Sequence, residues 1–304
     1  MTKRNLIIDC DTGIDDMVAL IWASRREEFN LIGVVAVAGN QTVDKTLINN
    51  LNCMQALNNE VPVFRGSDRP LKREQVTASD FHGKSGLNGP IFPPLTKQAE
   101  KIGGVDFILQ QLQDKKVTLV ALGPLTDIAK VIQRASEREL QNIEEIVIMG
   151  STFCGGNVTE VAEFNTYADP EAAQIVYSSR LPLALFSLDV THQATVDPDL
   201  IDKAKAMGTE PAMMFALGLE KYIEAYHKHG QEIAFMHDPC CIAYLLHPEL
   251  FRGEYHSVSV KLDDKKSDYG QSVITGDGTI YTVNKLKDLD AYWNYYLDNL
   301  SKYN

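Results

Sequence analysis

Short apolar runs alternate with amphipathic stretches along much of this chain, and that rhythm limits the folds open to it. Asn5–Cys10, Leu31–Ala38 and Val61–Phe64 read as strands, with Asp15–Arg26 and Val43–Leu57 between them as helices. Strand, helix, strand in this order is what a parallel sheet with crossover helices requires. The pattern resumes with Phe107–Gln113 as helix, Val117–Leu122 as strand, Leu125–Arg134 as helix, Glu145–Met149 as strand, Pro170–Ser178 as helix and Leu183–Leu188 as strand. Between the two runs, Gly66–Leu95 is rich in Gly, Pro and polar residues without a clean period, and a loop this long in a compact domain is usually functional or mobile. Beyond Pro198 the pattern predicts helices at Pro211–His227 and Pro239–Leu246, β structure around His256–Lys261 and Thr279–Val283, and an aromatic helix at Leu286–Leu300. The expectation is one α/β domain spanning 1–304, an open, mostly parallel sheet flanked by helices, with a helical and β-hairpin extension.

Charge narrows the partners. Against 41 Asp+Glu the chain has 29 Lys+Arg, a formal net charge of −12, which leaves no basic footprint for nucleic acid or an anionic membrane. No apolar stretch approaches membrane-spanning length and the apolar run before Asp9 is too short for a signal core, so a cytoplasmic protein is expected. The five cysteines, Cys10, Cys53, Cys154, Cys240 and Cys241, form no C-x-x-C pair and are read as reduced and mostly buried.

The strongest local signal is Asp9-Cys10-Asp11-Thr12-Gly13-Ile14-Asp15-Asp16, which ends the first strand and opens the first helix. In open α/β sheets ligands bind outside the carboxyl ends of the strands. A period of two puts Asp9 and Asp11 on one face, Gly13 is read as permitting a tight turn, and Asp15 and Asp16 diverge by about 100° around the helix axis. Asp15 and Asp16 are also ordinary favourable first-turn charges. Yet four carboxylates this close repel one another unless a cation neutralises them, and hard oxygen ligands suit Ca²⁺ or Mg²⁺.

Weaker signals follow. His237-Asp238-Pro239 reads as a helix cap with Pro at N1, Glu163-Phe164-Asn165 with Asn157 as polar groups around an aromatic, and Asp169-Pro170 as the next helix's cap. Gly39-Asn40-Gln41-Thr42 and Leu122-Gly123-Pro124 each follow a strand, as the Asp cluster does. Their common placement gathers all of them at one edge of a parallel sheet.

Taken in order, DCDTGIDD at 9–16, VAGNQT at 37–42, ALGPLTDIA at 121–129, the MG…GN…AEFN run at 149–165, LDVTHQ at 188–193 and HDPC at 237–240 resemble the inosine-uridine-preferring nucleoside hydrolases. Thr12 stands where that family usually has Pro. The resemblance implies a Rossmann-like sheet and a Ca²⁺-dependent cleavage of purine or pyrimidine ribonucleosides to free base and ribose. It assigns the metal to the side chains of Asp11, Asp16 and Asp238 and the backbone carbonyl of Leu122, with Asp11 also taking a proton from the attacking water. Asp15, Asn157, Glu163 and Asn165 are implied to grip the ribose hydroxyls, Asn40 to orient water or ribose, and Met149 and Phe164 to line the sugar pocket. His237 corresponds to the histidine that assists the leaving base in one branch of the family. His82 is expected near the base and Tyr226 to close over the substrate, whereas His192 is read as structural core. Family habit implies a homodimer or homotetramer, and which base is preferred stays open.

Two other readings compete. An apolar strand ending in Asp9-x-Asp11-Thr12 also opens the haloacid-dehalogenase-like phosphohydrolases, but their later acidic pair has no counterpart at Thr275-Gly276-Asp277. A nucleoside or ribose binding protein without turnover is disfavoured because Asp11 and every implied side-chain ligand are present.

Overall fold

The computed structural model describes residues 3–303. Among them nine strands form one sheet: β1 (Arg4–Cys10), β2 (Phe29–Ala36), β3 (Val63–Arg65), β4 (Val117–Ala121), β5 (Ile143–Met149), β6 (Leu183–Phe186), β7 (Phe251–Val260), β8 (Ser272–Asp277) and β9 (Ile280–Leu286). Their order is β3-β2-β1-β4-β5-β6-β9-β7-β8. Every pairing from β3 to β9 is parallel, and β7 runs antiparallel to both β9 and β8. The first half is as its periodicity predicts, within a few residues at each end.

The helices are α1 (Ile14–Ser24), α2 (Val43–Ala56), α3 (Ser79–His82), α4 (Gly104–Leu112), α5 (Thr126–Arg134), α6 (Glu137–Leu140) and α7 (Phe164–Ala168), followed by α8 (Pro170–Tyr177), α9 (Leu188–Thr191), α10 (Asp199–Met207), α11 (Glu210–Lys228), α12 (Pro239–Leu246) and α13 (Leu289–Ser301). They cover both faces of the sheet, and the strands' period of two divides two cores. Leu6 and Ile8 of β1 pack toward Trp22 of α1, Phe215 of α11, Ile242 of α12 and Tyr292 of α13. Ile7 points the other way, into a core with Ile108 of α4, Ile128 of α5 and Val176 of α8. Trp22 is fully buried, its ring centroid 5.4 Å from Tyr292 and 5.1 Å from Tyr296 in edge-on contacts, so the first and last helices lock together.

Three expectations change. The expected β-hairpin extension is present, with β7 antiparallel to β8, but it is built into the main sheet: β9 lies parallel against β6, with Leu183 opposite Ile280 and Phe186 opposite Val283, because the all-buried β6 needs a partner on that side. β8 escapes sequence reading because most of SVITGD is solvent-exposed and carries no apolar alternation. The strand expected to reach Leu188 stops at Phe186, and Leu188–Thr191 turns into α9.

The chain travels outward from β1 to β3 and then returns to β4 on the other side of β1, so the strand order reverses between β1 and β4. That reversal opens a crevice beyond their carboxyl ends. Residues 66–95 form the roof. They contain only α3 as regular structure and cross the crevice as a strap, tied down by Leu71 N–H to Asp169 Oδ2 (2.9 Å), Gln75 Nε2 to the Gln41 carbonyl (3.1 Å) and Ala78 N–H to the Asn40 carbonyl (3.0 Å). No described helix is long and apolar enough to cross a membrane.

Candidate active site

β1 ends at Cys10, and the two acids at its end part company. Asp9 is buried against Asp127 of α5, on the far side of the sheet edge, and burial with that neighbouring carboxyl raises its pKa well above the ordinary value. Asp11, past the strand's last residue, turns into the crevice, where its Oδ2 accepts the Asn40 backbone N–H at 2.6 Å. Period two therefore does not carry through to Asp11. Thr12 fits in place of a proline by bonding Asn50 through its hydroxyl, while Asn49 Nδ2 donates to the Thr12 carbonyl at 2.9 Å. Gly13 is needed for space rather than for an unusual turn: its φ of −100° suits any residue, but a Cβ there would lie 2.4 Å from His82 Nδ1. Asp16 Oδ2 accepts the Gly13 N–H at 2.8 Å and so caps the helix that carries it.

Asp238, at the start of α12, meets this turn from the opposite end of the sequence. Oxygens of Asp15, Asp16 and Asp238 all lie within 4.8 Å of one another, and all three residues are buried. Asp15 Oδ1 and Asp16 Oδ1 have no hydrogen-bond partner. Burial, reinforced by neighbouring carboxylates, raises Asp16 and Asp238 well above the carboxylate range. Burial pushes Asp11 up to about 7 despite the opposing Asn40 N–H, and raises Asp15 despite nearby His82. Buried oxygens without donors, in mutually repelling carboxylates, fit a hard divalent cation. Asp11 stands outside the 4.8 Å trio but joins the same electrostatic cluster.

One wall is built on α7. Glu163 caps it, accepting the N–H groups of Asn165 (2.7 Å), Thr166 (3.0 Å) and Ser151 (2.8 Å), so this carboxylate fixes backbone as well as facing the cavity. Asn165 Nδ2 donates to the Leu122 carbonyl at 2.6 Å and to that of Met149 at 3.2 Å, joining the ends of β4 and β5. Asn157 Oδ1 accepts the Phe164 N–H at 2.9 Å.

The opposite end is aromatic. His237 is held at both ring nitrogens, Nδ1 by Thr191 Oγ1 at 2.8 Å and Nε2 by the Tyr226 hydroxyl at 3.1 Å. Burial, followed by His192 and His82, lowers its pKa to about 3, so it is neutral at pH 7. Tyr222, one helical turn from Tyr226 on α11, donates to Asp15 Oδ2 over 3.4 Å. His82 Nδ1 accepts the Ile14 N–H at 3.4 Å, which leaves Nε2 as the protonated nitrogen. Phe81 stacks on His229, centroids 4.7 Å apart, at the outer rim.

A cavity of about 430 Å³ joins these parts. Its lining brings together Asp11, Asp15, Asn40, His82, Leu122, Met149, Asn157, Glu163, Phe164, Asn165, Tyr226, His237 and Asp238, while Asp16 lies just behind. Asp277, the nearest candidate for a second phosphohydrolase motif, ends the edge strand β8 instead. The sequence profile described as inosine-uridine preferring nucleoside hydrolase matches residues 6–294. The chain belongs to that family. Pyrimidine-specific ribonucleoside hydrolase RihB of Shigella sonnei (strain Ss046) is 40% identical to it over 96% of each chain, and the protein of the same name in Escherichia coli (strain SE11) is 39% identical over the same shares. A solved structure, the purine-preferring ribonucleoside hydrolase from Gardnerella vaginalis, shares its fold with a TM-score of 0.91 at 27% identity, covering 98% of each chain.

Within this nucleoside hydrolase the structure also corrects and extends the sequence reading. His192 is no core residue: it is exposed, lines the cavity and stacks on Phe235 with centroids 4.5 Å apart, 5.7 Å from the His237 ring. Tyr222, Phe81, His229 and Gln231 belong to the lining and carry no motif of their own, while Thr191, inside LDVTHQ but assigned no role there, supports His237. Only the i, i+4 spacing of Tyr222 and Tyr226 offered a signal.

Proposed function

We propose that this hydrolase cleaves the N-glycosidic bond of pyrimidine ribonucleosides to free base and ribose, with Ca²⁺ as its bound cation. The observation that carries the reading is the single cavity that runs from the buried carboxylates to the paired Tyr226 and His237. Relatives at 40% and 39% identity named as pyrimidine-specific support the base preference. Asp11, Asp16 and Asp238 with the Leu122 carbonyl would hold the ion, Asp15 standing beside them; that carbonyl already accepts from Asn165 and keeps its second lone pair. When bound, Ca²⁺ supplies the charge that lets these carboxylates ionise together and makes a coordinated water more acidic.

Asp11 then removes a proton from the attacking water, oriented with Asn40, whose backbone N–H already holds Asp11 Oδ2 at 2.6 Å. As the new oxygen bond to C1′ forms and the bond to the base nitrogen breaks, positive charge on the sugar is stabilised by the surrounding carboxylates. Asp15, Asn157, Glu163 and Asn165 fix the ribose, with Met149 and Phe164 against it. The base leaves with the electron pair and takes up a proton. His237 is neutral, so it passes a proton to the base only as its other ring nitrogen receives one along the Thr191–His237–Tyr226 chain, which solvent replenishes in exchange for the proton taken by Asp11. Assembly as a homodimer or homotetramer accompanies this reading and is checked by sedimentation velocity.

Ribose release from uridine, cytidine and inosine, with and without EGTA, tests the proposal. Faster release from the pyrimidines and loss of activity with chelator are expected. Nucleoside binding without ribose release would leave a binding protein; preference for inosine would remove the base assignment; full activity in EGTA would remove the ion.

A further inference from the structure

The roof strap is fixed near its ribose end by a side chain that the chemistry above does not use. Arg73 is half-buried, its guanidinium 4.0 Å from the Tyr167 ring centroid and 5.4 Å from that of Tyr269, and its Nη1 donates to the Tyr167 carbonyl at 2.5 Å. The carboxylates near it are engaged elsewhere, for Glu171 and Asp264 pair with Lys72, and Tyr269 donates its hydroxyl to Glu171 at 3.0 Å. Among the described residues Arg73 forms no ion pair, so its partners are two aromatic faces and one backbone oxygen.

That oxygen sits in the last turn of α7, where carbonyls have no partner within the helix. α7 has five residues and is pinned at its start by Glu163. Arg73 pins its other end. Between the two lie Phe164 and Asn165, and the latter reaches across to the carbonyls of Leu122 and Met149. The chain turn behind is shaped to the clasp: Gly270, at φ +84°, lies so near that a Cβ would be 3.1 Å from the Tyr167 ring. The strap residues that follow Arg73, Val76 to Ala78, then reach the cavity wall.

We propose that Arg73 is a positioning residue for the sugar. By clasping the strap to the end of α7 it holds Asn165 and Glu163 where they grip ribose, whatever base is attached. The inference rests on the proposed nucleoside hydrolysis and concerns only the ribose half of the site.

The test uses Arg73→Ala and Arg73→Lys in the full chain, with kcat and KM for uridine and inosine, the Kd of free ribose by calorimetry, and Tm under the same conditions. Arg73→Ala is expected to raise KM roughly tenfold for both nucleosides by the same factor, weaken ribose binding equally and change kcat less than about threefold. Arg73→Lys, which keeps a cation over Tyr167, is expected to restore most of the loss. A KM within about twofold of wild type, a KM rise confined to one base, or unchanged ribose binding overturns the proposal. Should Arg73→Ala fail to fold, Tyr269→Leu removes one face of the clasp and is expected to raise KM about threefold for both bases; no rise overturns it equally. A wild-type protein that binds ribose yet releases none from any nucleoside refutes the hydrolysis reading instead, and the ribose Kd values still decide the role of Arg73.

Discussion

Metal-free hydrolase is expected to lose stability steadily as the pH rises from about 5 to about 8, and Asp11→Asn to remove part of that loss. In the unfolded chain Asp11 titrates near 3.8 and is ionised across this range, whereas burial in the folded chain lifts it to about 7. Below that value the folded state holds a proton that the unfolded state lacks. Its stabilisation is complete below the unfolded pKa and disappears as pH climbs through the folded one. At about 1.4 kcal/mol for each tenfold difference in proton affinity, lifting Asp11 from 3.8 to about 7 represents ~4 kcal/mol, of which ~3 kcal/mol is lost between pH 5 and 8. Asp16 and Asp238, raised well above the carboxylate range by burial and then by neighbouring carboxylates (Asp11 and Asp15 for Asp16; Asp15, Asp16 and Asp11 for Asp238), act in the same direction. With roughly 2 °C of Tm per kcal/mol in a chain of this size, the metal-free Tm should fall by at least about 6 °C. Differential scanning calorimetry in EGTA across this pH series measures it, and a parallel series in Ca²⁺ should be nearly flat because the ion replaces the missing protons. Asp11→Asn in EGTA should be more stable than wild type at pH 8. A metal-free Tm that does not fall with pH, or an Asn variant less stable at pH 8, would falsify the picture of self-repelling buried acids.

Other expectations concern turnover. Asp11→Ala should abolish ribose release from uridine, measured by reducing-sugar assay; near wild-type rates would remove Asp11 as base. His237→Ala should slow natural nucleosides far more than a nitrophenyl riboside, whose leaving group needs no proton, and equal losses on both would end the leaving-group role. Thr191→Val keeps the shape but strips the 2.8 Å partner from His237 Nδ1; at ~1–3 kcal/mol for an orphaned buried group, kcat/KM for uridine should drop roughly 5- to 150-fold, with little effect on the nitrophenyl riboside.

Much of this molecule can be read from its sequence where a physical period or a charge conflict is written locally. The buried runs of β1, β4 and β5 announce a parallel sheet, and the crowding of Asp11, Asp15 and Asp16 announces a site. What is illegible depends on distant approach. Gly13 is small because His82 arrives from 69 residues further along, which no local turn rule reports. Asp9 and Asp11 look alike in sequence, yet one ends beneath the crevice against Asp127 and the other within it, because the strand stops between them. His192 reads as core beside the apolar Leu188 and Val190, but the chain turns into α9 there and presents it to the cavity. β8, mostly exposed, leaves no apolar signature to read.

The edge-on contacts of Trp22 with Tyr292 and Tyr296 make the far end of the chain a buttress for the acidic turn. α1 presents Asp15 and Asp16 from its first turn and Trp22 from its last, so the stack that seats its rear also governs how firmly its front is aimed. Calcium affinity would then serve as a gauge of the C-terminal helix: a protease nick after Lys287, or a bulky fusion that levers α13 away, should show first as weakened cation retention while the sheet is still intact.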